Sequence, residues 1–194
     1  MAKTYPAIDS ELRQWIEQQP MFFLASAPLA RSGHVNVSPR GLDSLRIAGE
    51  HEVLILDLTG SGNETAAHLG ENGRLTIMFC SFAAQPRILR LYGAGEVVLP
   101  DAPGWPALRS HFGDIPGVRQ IFRVRVERIQ TSCGIGVPRM ELIGQRESLL
   151  DWAQKKGEAG LLAYREQHNR VSIDGLPAPQ PRSPGTIKPQ KNNA

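Results

Sequence analysis

Val53-Leu54-Ile55-Leu56-Asp57-Leu58-Thr59-Gly60-Ser61-Gly62-Asn63-Glu64-Thr65-Ala66-Ala67-His68-Leu69, running on to Arg74-Leu75-Thr76-Ile77-Met78-Phe79-Cys80, is the stretch around which the chain is organised. It reads as strand, tight turn, helix, strand. An apolar run of strand length enters a Gly/Ser/Asn turn, and Ser61 stands three residues before Glu64. At that spacing a hydroxyl at the N-cap and a carboxylate at the third helical position satisfy each other's backbone amides. The spacing therefore predicts a short helix from near Ser61 to about Gly70–Gly73, where glycine accepts a left-handed turn. A helix start gathers unpaired N–H groups and the positive end of a dipole, so the hydroxyls and glycines there suit a phosphate. An ordinary capped helix on a surface turn is the reading these residues alone favour, since they form neither a Walker A loop nor a dinucleotide fingerprint.

On the N-terminal side, Leu12, Trp15, Ile16 and Gln19 recur at helical spacing behind Asp9 or Ser10, with Pro20 beyond the end. Phe22 to Ala27 predicts a strand, and His34-Val35-Asn36-Val37-Ser38 alternates polar and apolar residues as a half-buried strand does. Pro39-Arg40-Gly41 is expected to interrupt that strand and set Arg40 on a bend, with Leu45-Arg46-Ile47 resuming as a short edge.

On the C-terminal side, Leu75 to Phe82 and Arg87 to Leu99 predict strands, the second bent at Gly93 and Gly95. Asp101 to Phe112 predicts a short helix. In Ile121 to Gln130, Phe122, Val124 and Val126 fall on one face and Arg123, Arg125 and Glu127 on the other. Glu147 to Gln167 predicts a helix broken near Gly157 and Gly160, and Leu176 to Ala194, rich in Pro, predicts a disordered tail. About six strands with accessory helices make a small antiparallel barrel over residues 1–175, followed by the tail at 176–194.

The 194 residues suffice for one buried core, and 41% hydrophobic with 21% charged residues is an ordinary globular balance. A net charge of +3 with scattered Lys and Arg gives no nucleic-acid platform. No segment has the length of a membrane span. Cys80 and Cys133 read as reduced, buried thiols in a cytoplasmic protein. His34, His51, His68, His111 and His168 show no metal-ligand spacing, and His68 reads as surface or core-edge. No Gly-x-Ser-x-Gly elbow offers a nucleophile. Arg40, Arg87 and Arg90 are the cations whose guanidinium forks suit an anion, with a solvated barrel face as the alternative.

The succession Asn36-Val37-Ser38-Pro39-Arg40-Gly41, then Asp57 to Leu69, then Asn72-Gly73-Arg74-Leu75-Thr76-Ile77-Met78-Phe79, then Pro86-Arg87-Ile88-Leu89-Arg90-Leu91-Tyr92-Gly93-Ala94-Gly95-Glu96-Val97 resembles the pyridoxamine 5'-phosphate oxidase-like, FMN-binding split-barrel family over roughly residues 8 to 130. The resemblance implies a six-stranded antiparallel split β-barrel and a homodimer holding FMN between its subunits. By the same resemblance, the flavin lies along Val35 to Arg40 and its phosphate meets Leu58 to Thr65. The implied FMN-binding residues are Val37, Ser38, Arg40, Leu58, Thr59, Ser61, Asn63, Thr65 and Arg87, with Cys133 to Val137 closing the site from the partner subunit.

Where the oxidase proper carries Ser-Arg-Lys in the phosphate turn, this chain has Asn63-Glu64-Thr65, so Arg40, Arg87 or Arg90 must supply the charge. Ile88 replaces a flavin-side Gln, and Met140 to Arg146 only echoes the C-terminal signature. The expectation is an FMN-dependent oxidoreductase that does not act on pyridoxamine phosphate and has an unassigned small-molecule substrate. The alternatives are a non-catalytic carrier or sensor of haem, deazaflavin or flavin, and a barrel with no cofactor.

Overall fold

The computed structural model describes residues 2–181. Its elements are β1 (Lys3–Tyr5), α1 (Ser10–Glu17), β2 (Phe22–Ser26), β3 (Asn36–Arg40), β4 (Leu45–Gly49), β5 (Glu52–Leu58), α2 (Glu64–Asn72), β6 (Arg74–Cys80), β7 (Ile88–Val98), α3 (Trp105–Arg109), β8 (Val118–Ser132) and α4 (Ser148–His168). The fold is mainly β, an antiparallel split barrel, with eight strands rather than about six. The additional ones are β1, which the sequence pattern does not mark, and the separation of β3 from β4 by a turn at Gly41–Ser44.

The sheet runs β3-β2-β6-β7-β8-β5-β4, with every pair antiparallel. Its spine is the 15-residue β8. One side of β8 pairs with β7; the other takes β5 along its first half and β1 near its end. A shift in the β7–β8 register falls between Tyr92 and Gly93, and a Cβ on Gly93 would lie 2.2 Å from the Arg125 carbonyl oxygen. The bend expected at that glycine is therefore a bulge with no room for a side chain.

β5 is apolar throughout because both its faces are covered. Val53 and Ile55 join the main core with Phe122, Val124 and Ile77, whereas Leu54 and Leu56 join a second cluster with Ile121 and Phe112. The helix expected over Asp101 to Phe112 contracts to the five residues of α3, whose Trp105 and Leu108 pack on that second cluster. Asp57 keeps the phase of Val53 and Ile55, so a carboxylate is carried into the end of the barrel interior.

α1 starts as predicted, with Asp9 Oδ1 accepting from the Leu12 amide at 2.8 Å and Leu12 and Ile16 buried. α2 ends at Gly73, whose φ of 71° is the expected left-handed cap. α4 breaks at Gly157, where φ is 63°.

Two expectations are corrected. Pro39 does not interrupt its strand: β3 is the edge of the sheet, where a residue without an N–H is tolerated, and Pro39 pairs opposite Phe23. Nor does the tail begin at Leu176, because Leu176 packs on the main core and Ala178 is buried. The amide of Ala178 donates to the Arg170 carbonyl at 2.9 Å, and Val171 bridges Pro177. Two modest apolar side chains and a backbone pairing suffice to fasten this segment; the rest of the predicted tail lies outside the described residues.

Among the described residues no helix is long and apolar enough to cross a membrane, and no cluster of His, Cys, Asp and Glu could hold a metal ion.

Candidate functional site

Three elements converge where β5 ends: the edge strand β3, the turn from Thr59 to Asn63 that opens α2, and the start of β8. Between them lies a cavity of about 600 Å³, into which Ser38, Arg40, Leu58, Ser61, Asn63 and Thr65 contribute from β3 and the turn, with Arg119 from β8.

Its floor is a charge cluster. Asp57 is fully buried, and Arg40 Nη1 lies 2.5 Å from its Oδ1. Arg119 donates Nε to Oδ2 at 2.9 Å and places Nη2 at 2.8 Å from the same oxygen, while Gln120 Nε2 donates to it at 2.7 Å. Burial raises the Asp57 pKa, but the guanidiniums of Arg119 and Arg40 and their hydrogen bonds outweigh it and hold the carboxyl below its ordinary value. Arg40 also lies over the Phe122 ring at 5.5 Å, and its Nε is buried without a partner among the described residues.

The turn is fixed from behind. Asn63 Oδ1 accepts from Gln120 Nε2 at 2.8 Å and Asn63 Nδ2 donates to the Asn169 carbonyl at 3.1 Å. Asn169 returns a bond to the Gly60 carbonyl and accepts from Arg119 Nη1 at 2.8 Å. These bonds occupy the side chain of the N-cap residue, so Asn63 does not cap α2. The predicted capping box does not form either: Ser61 is exposed, and Glu64 accepts from the Ile173 amide at 2.9 Å. The first turn of α2 thus has no side-chain cap at its N-terminus, where the helix dipole is positive.

Of the predicted binding residues, Ser38, Arg40, Leu58, Ser61, Asn63 and Thr65 come together around the cavity. Val37 does not; it is 58% exposed because alternation along β3 turns Asn36, Ser38 and Arg40 the other way. Thr59 is buried behind the turn, donating to the Gly117 carbonyl and accepting from Arg165 Nε at 2.8 Å. Arg87 is remote from the cavity, stacked on Trp15 and Tyr5 and bonded to the Tyr5 hydroxyl. Arg90 donates to Ser132.

His68, read as surface or core-edge, is 1% exposed and lies 2.9 Å from Ser26 Oγ through Nδ1. Cys80 is buried as expected; Cys133 is exposed, since β8 ends just before it.

Sequence reasoning missed Asp57, Arg119, Gln120, Asn169 and Arg165. A lone acid inside the apolar run Val53 to Leu58 was the available signal for Asp57. Arg119 and Gln120 sit just ahead of the strand as predicted from Ile121, and nothing near Arg165 or Asn169 marks a partner more than 100 residues earlier.

The fold and the polar cavity at a helix start define a split barrel of the pyridoxamine 5'-phosphate oxidase type. The family model described as pyridoxamine 5'-phosphate oxidase matches residues 8–133, and the chain belongs to this family. It is 38% identical over 192 residues to the pyridoxamine 5'-phosphate oxidase family protein ustO of Aspergillus flavus, a match covering 89% of this chain and 76% of that protein. Among solved structures, a putative pyridoxamine 5'-phosphate oxidase from Lactobacillus delbrueckii has a TM-score of 0.52 at 14% identity, covering 66% of this chain and 98% of the other. HupZ of Group A Streptococcus has a TM-score of 0.51 at 21% identity, covering 63% and 91%. These two likenesses concern the fold.

Proposed function

We propose that the protein is an FMN-dependent oxidoreductase that works as a cytoplasmic homodimer, with the cavity at the subunit seam. The observation that carries this reading is the uncapped start of α2 opening into a cavity of about 600 Å³ beside Arg40.

The residues present fit the group. Backbone amides at the helix start, with Ser61 and Thr65 beside them, are suited to a phosphate's oxygens, and Arg40 keeps a buried nitrogen with no protein partner. β3 is an edge strand, so one row of its peptide groups stands outside the ladder and is available to the polar rim of a flat ring. Bound flavin would supply hydride or electron transfer.

The chain's part is to hold and orient. Asp57 is fixed as a carboxylate between two guanidiniums and Glu64 is engaged by Ile173, so neither is placed to relay a proton. Among the described residues no His, Cys, Met or Tyr lines the cavity, which argues against a haem taking an axial ligand from them. A second concavity, lined by Trp15, Met21, Phe82, Met140 and Leu142, has among the described residues no Lys or Arg and a single charge, Glu141. That composition supports a substrate other than a phosphate ester.

The visible spectrum of the purified protein, with mass identification of any released chromophore, tests the reading. Flavin absorption with released FMN supports it. A colourless protein that takes up no added FMN overturns it, and a Soret band points to haem.

A further inference from the structure

The charges that line the cavity of about 600 Å³ cancel. Among the described residues they belong to Arg40, Arg119, Asp57 and Glu64, two of each sign. Arg40 and Arg119 already share the buried Asp57 carboxylate. The second carboxylate, Glu64, opens α2 beside the turn proposed to meet a phosphate.

Glu64 is built into that position. Its Oε2 accepts from the Ile173 amide at 2.9 Å, and a Cβ on Gly62 would lie 3.2 Å from its Oε1, so the second oxygen lies over the turn. Ile173 is itself held at the tip of a narrow loop. The Ser172 amide donates to the Leu176 carbonyl at 2.8 Å, and Leu176 packs on the main core. Next to Ile173, the Asp174 carboxylate accepts from the His34 amide at 2.8 Å and meets His34 Nδ1 at 2.7 Å. The Glu64 carboxylate therefore moves into solvent only by giving up a bond that the C-terminal segment supplies.

A phosphate monoester carries a charge of about −1.5 to −2 at pH 7, so at this turn it gains the amides and the helix dipole but meets Glu64 at close range. Like charges a few ångströms apart near a protein surface repel strongly enough to weaken binding by more than about 10-fold. A neutral hydroxylated chain meets no such repulsion and can donate to the same carboxylate. Resting on the flavin reading above, we propose that Glu64 is a specificity-determining residue of the cavity. It offsets the advantage of the phosphate group, so that FMN is an exchangeable ligand held little better than riboflavin, which lacks the phosphate, rather than a permanently bound group.

The test is titration of the full-length protein with FMN and with riboflavin, read by quenching of flavin fluorescence, followed by desalting. Wild-type protein should hold FMN less than about 10-fold more tightly than riboflavin and lose it on desalting. Glu64→Gln keeps an acceptor for the Ile173 amide and removes the charge. It should tighten FMN by at least about 10-fold, leave riboflavin within about 2-fold, and retain FMN on desalting. Ser61→Lys, at an exposed position, gives the same net charge without touching Glu64. It should also tighten FMN by at least about 10-fold, which keeps the assay decisive if Glu64→Gln fails to fold.

Three outcomes would overturn the proposal and leave the flavin reading in place: wild-type protein that prefers FMN over riboflavin by more than about 10-fold, FMN affinity unchanged in Glu64→Gln, or equal gains for FMN and riboflavin in that variant. Failure of all three proteins to bind either flavin would overturn the flavin reading and this proposal with it.

Discussion

Arg119 reaches across from the start of β8 to Asp57 near the end of β5 and sets two of its nitrogens within 2.9 Å of one carboxylate oxygen. Because Asp57 is also gripped by Arg40 and Gln120, the carboxylate is the common anchor of β3, β5 and β8 beneath the cavity.

Replacing Asp57 by Ala should therefore be costly. Its loss leaves two guanidiniums without their counter-charge, and breaking a buried ion pair from one side costs about 3–5 kcal/mol. Urea unfolding followed by circular dichroism should show a loss of that size; a loss below about 1 kcal/mol would contradict the anchoring role.

Acid should reach the same joint. The folded pKa of Asp57 is depressed, so its contribution is fully present above its ordinary value of 3.8 and is lost as pH falls below that through the folded value. Stability measured from pH 6 down to pH 2 should fall most steeply below about pH 4. In Asp57→Asn that part of the slope should disappear, and an unchanged slope would assign acid sensitivity to other carboxylates.

Ser61→Glu should discriminate between the turn and the remote arginine. Ser61 is exposed at the helix start, so the substitution should leave stability within about 0.5 kcal/mol while repelling a phosphate. A rise in the FMN dissociation constant of about 30-fold, or about 2 kcal/mol, is expected by fluorescence titration. Arg87→Ala should do the reverse, leaving FMN affinity unchanged and costing about 1 kcal/mol through lost stacking on Trp15 and Tyr5. FMN affinity that falls with Arg87 and ignores Ser61 would relocate the site.

The two thiols should separate cleanly. A backbone hydrogen bond from Ile135 lowers the Cys133 pKa at an exposed position, whereas burial raises that of Cys80. Iodoacetamide at pH 7.5 should label Cys133 at least 10-fold faster than Cys80, as read by peptide mass; equal rates would mean that Cys80 is opened by local unfolding.

The barrel was legible in the sequence because its strands carry their own punctuation: Gly93 marks the bulge, Gly73 the end of α2, and Phe122, Val124 and Val126 the buried face of β8. Ser38, Arg40 and Asn63 were grouped by the family resemblance, and the fold brings them around one cavity. The rear of the site was not legible. Glu64 follows Ser61 at capping distance, yet Ile173 takes the carboxylate and Gln120 and Asn169 take the side chain of Asn63. Local spacing states what a side chain can do, while the choice among its options was made by residues more than 50 positions away. Arg87 lies elsewhere for the complementary reason: a fork suited to phosphate is equally suited to lying on an indole, and Trp15 is what it meets here.

The bonds from Asn169 to Asn63 and to Gly60 span 106 and 109 residues. A turn written in the first third of the chain is thus held by a residue near the end of the last helix, outside the stretch matched by the family model. Closing so long a loop is entropically expensive until the intervening barrel has brought its ends together. During synthesis, β5 and α2 emerge long before Asn169 does, so the turn before α2 gains these bonds only after α4 has followed. If the cavity holds FMN as proposed, its capture follows assembly of the barrel.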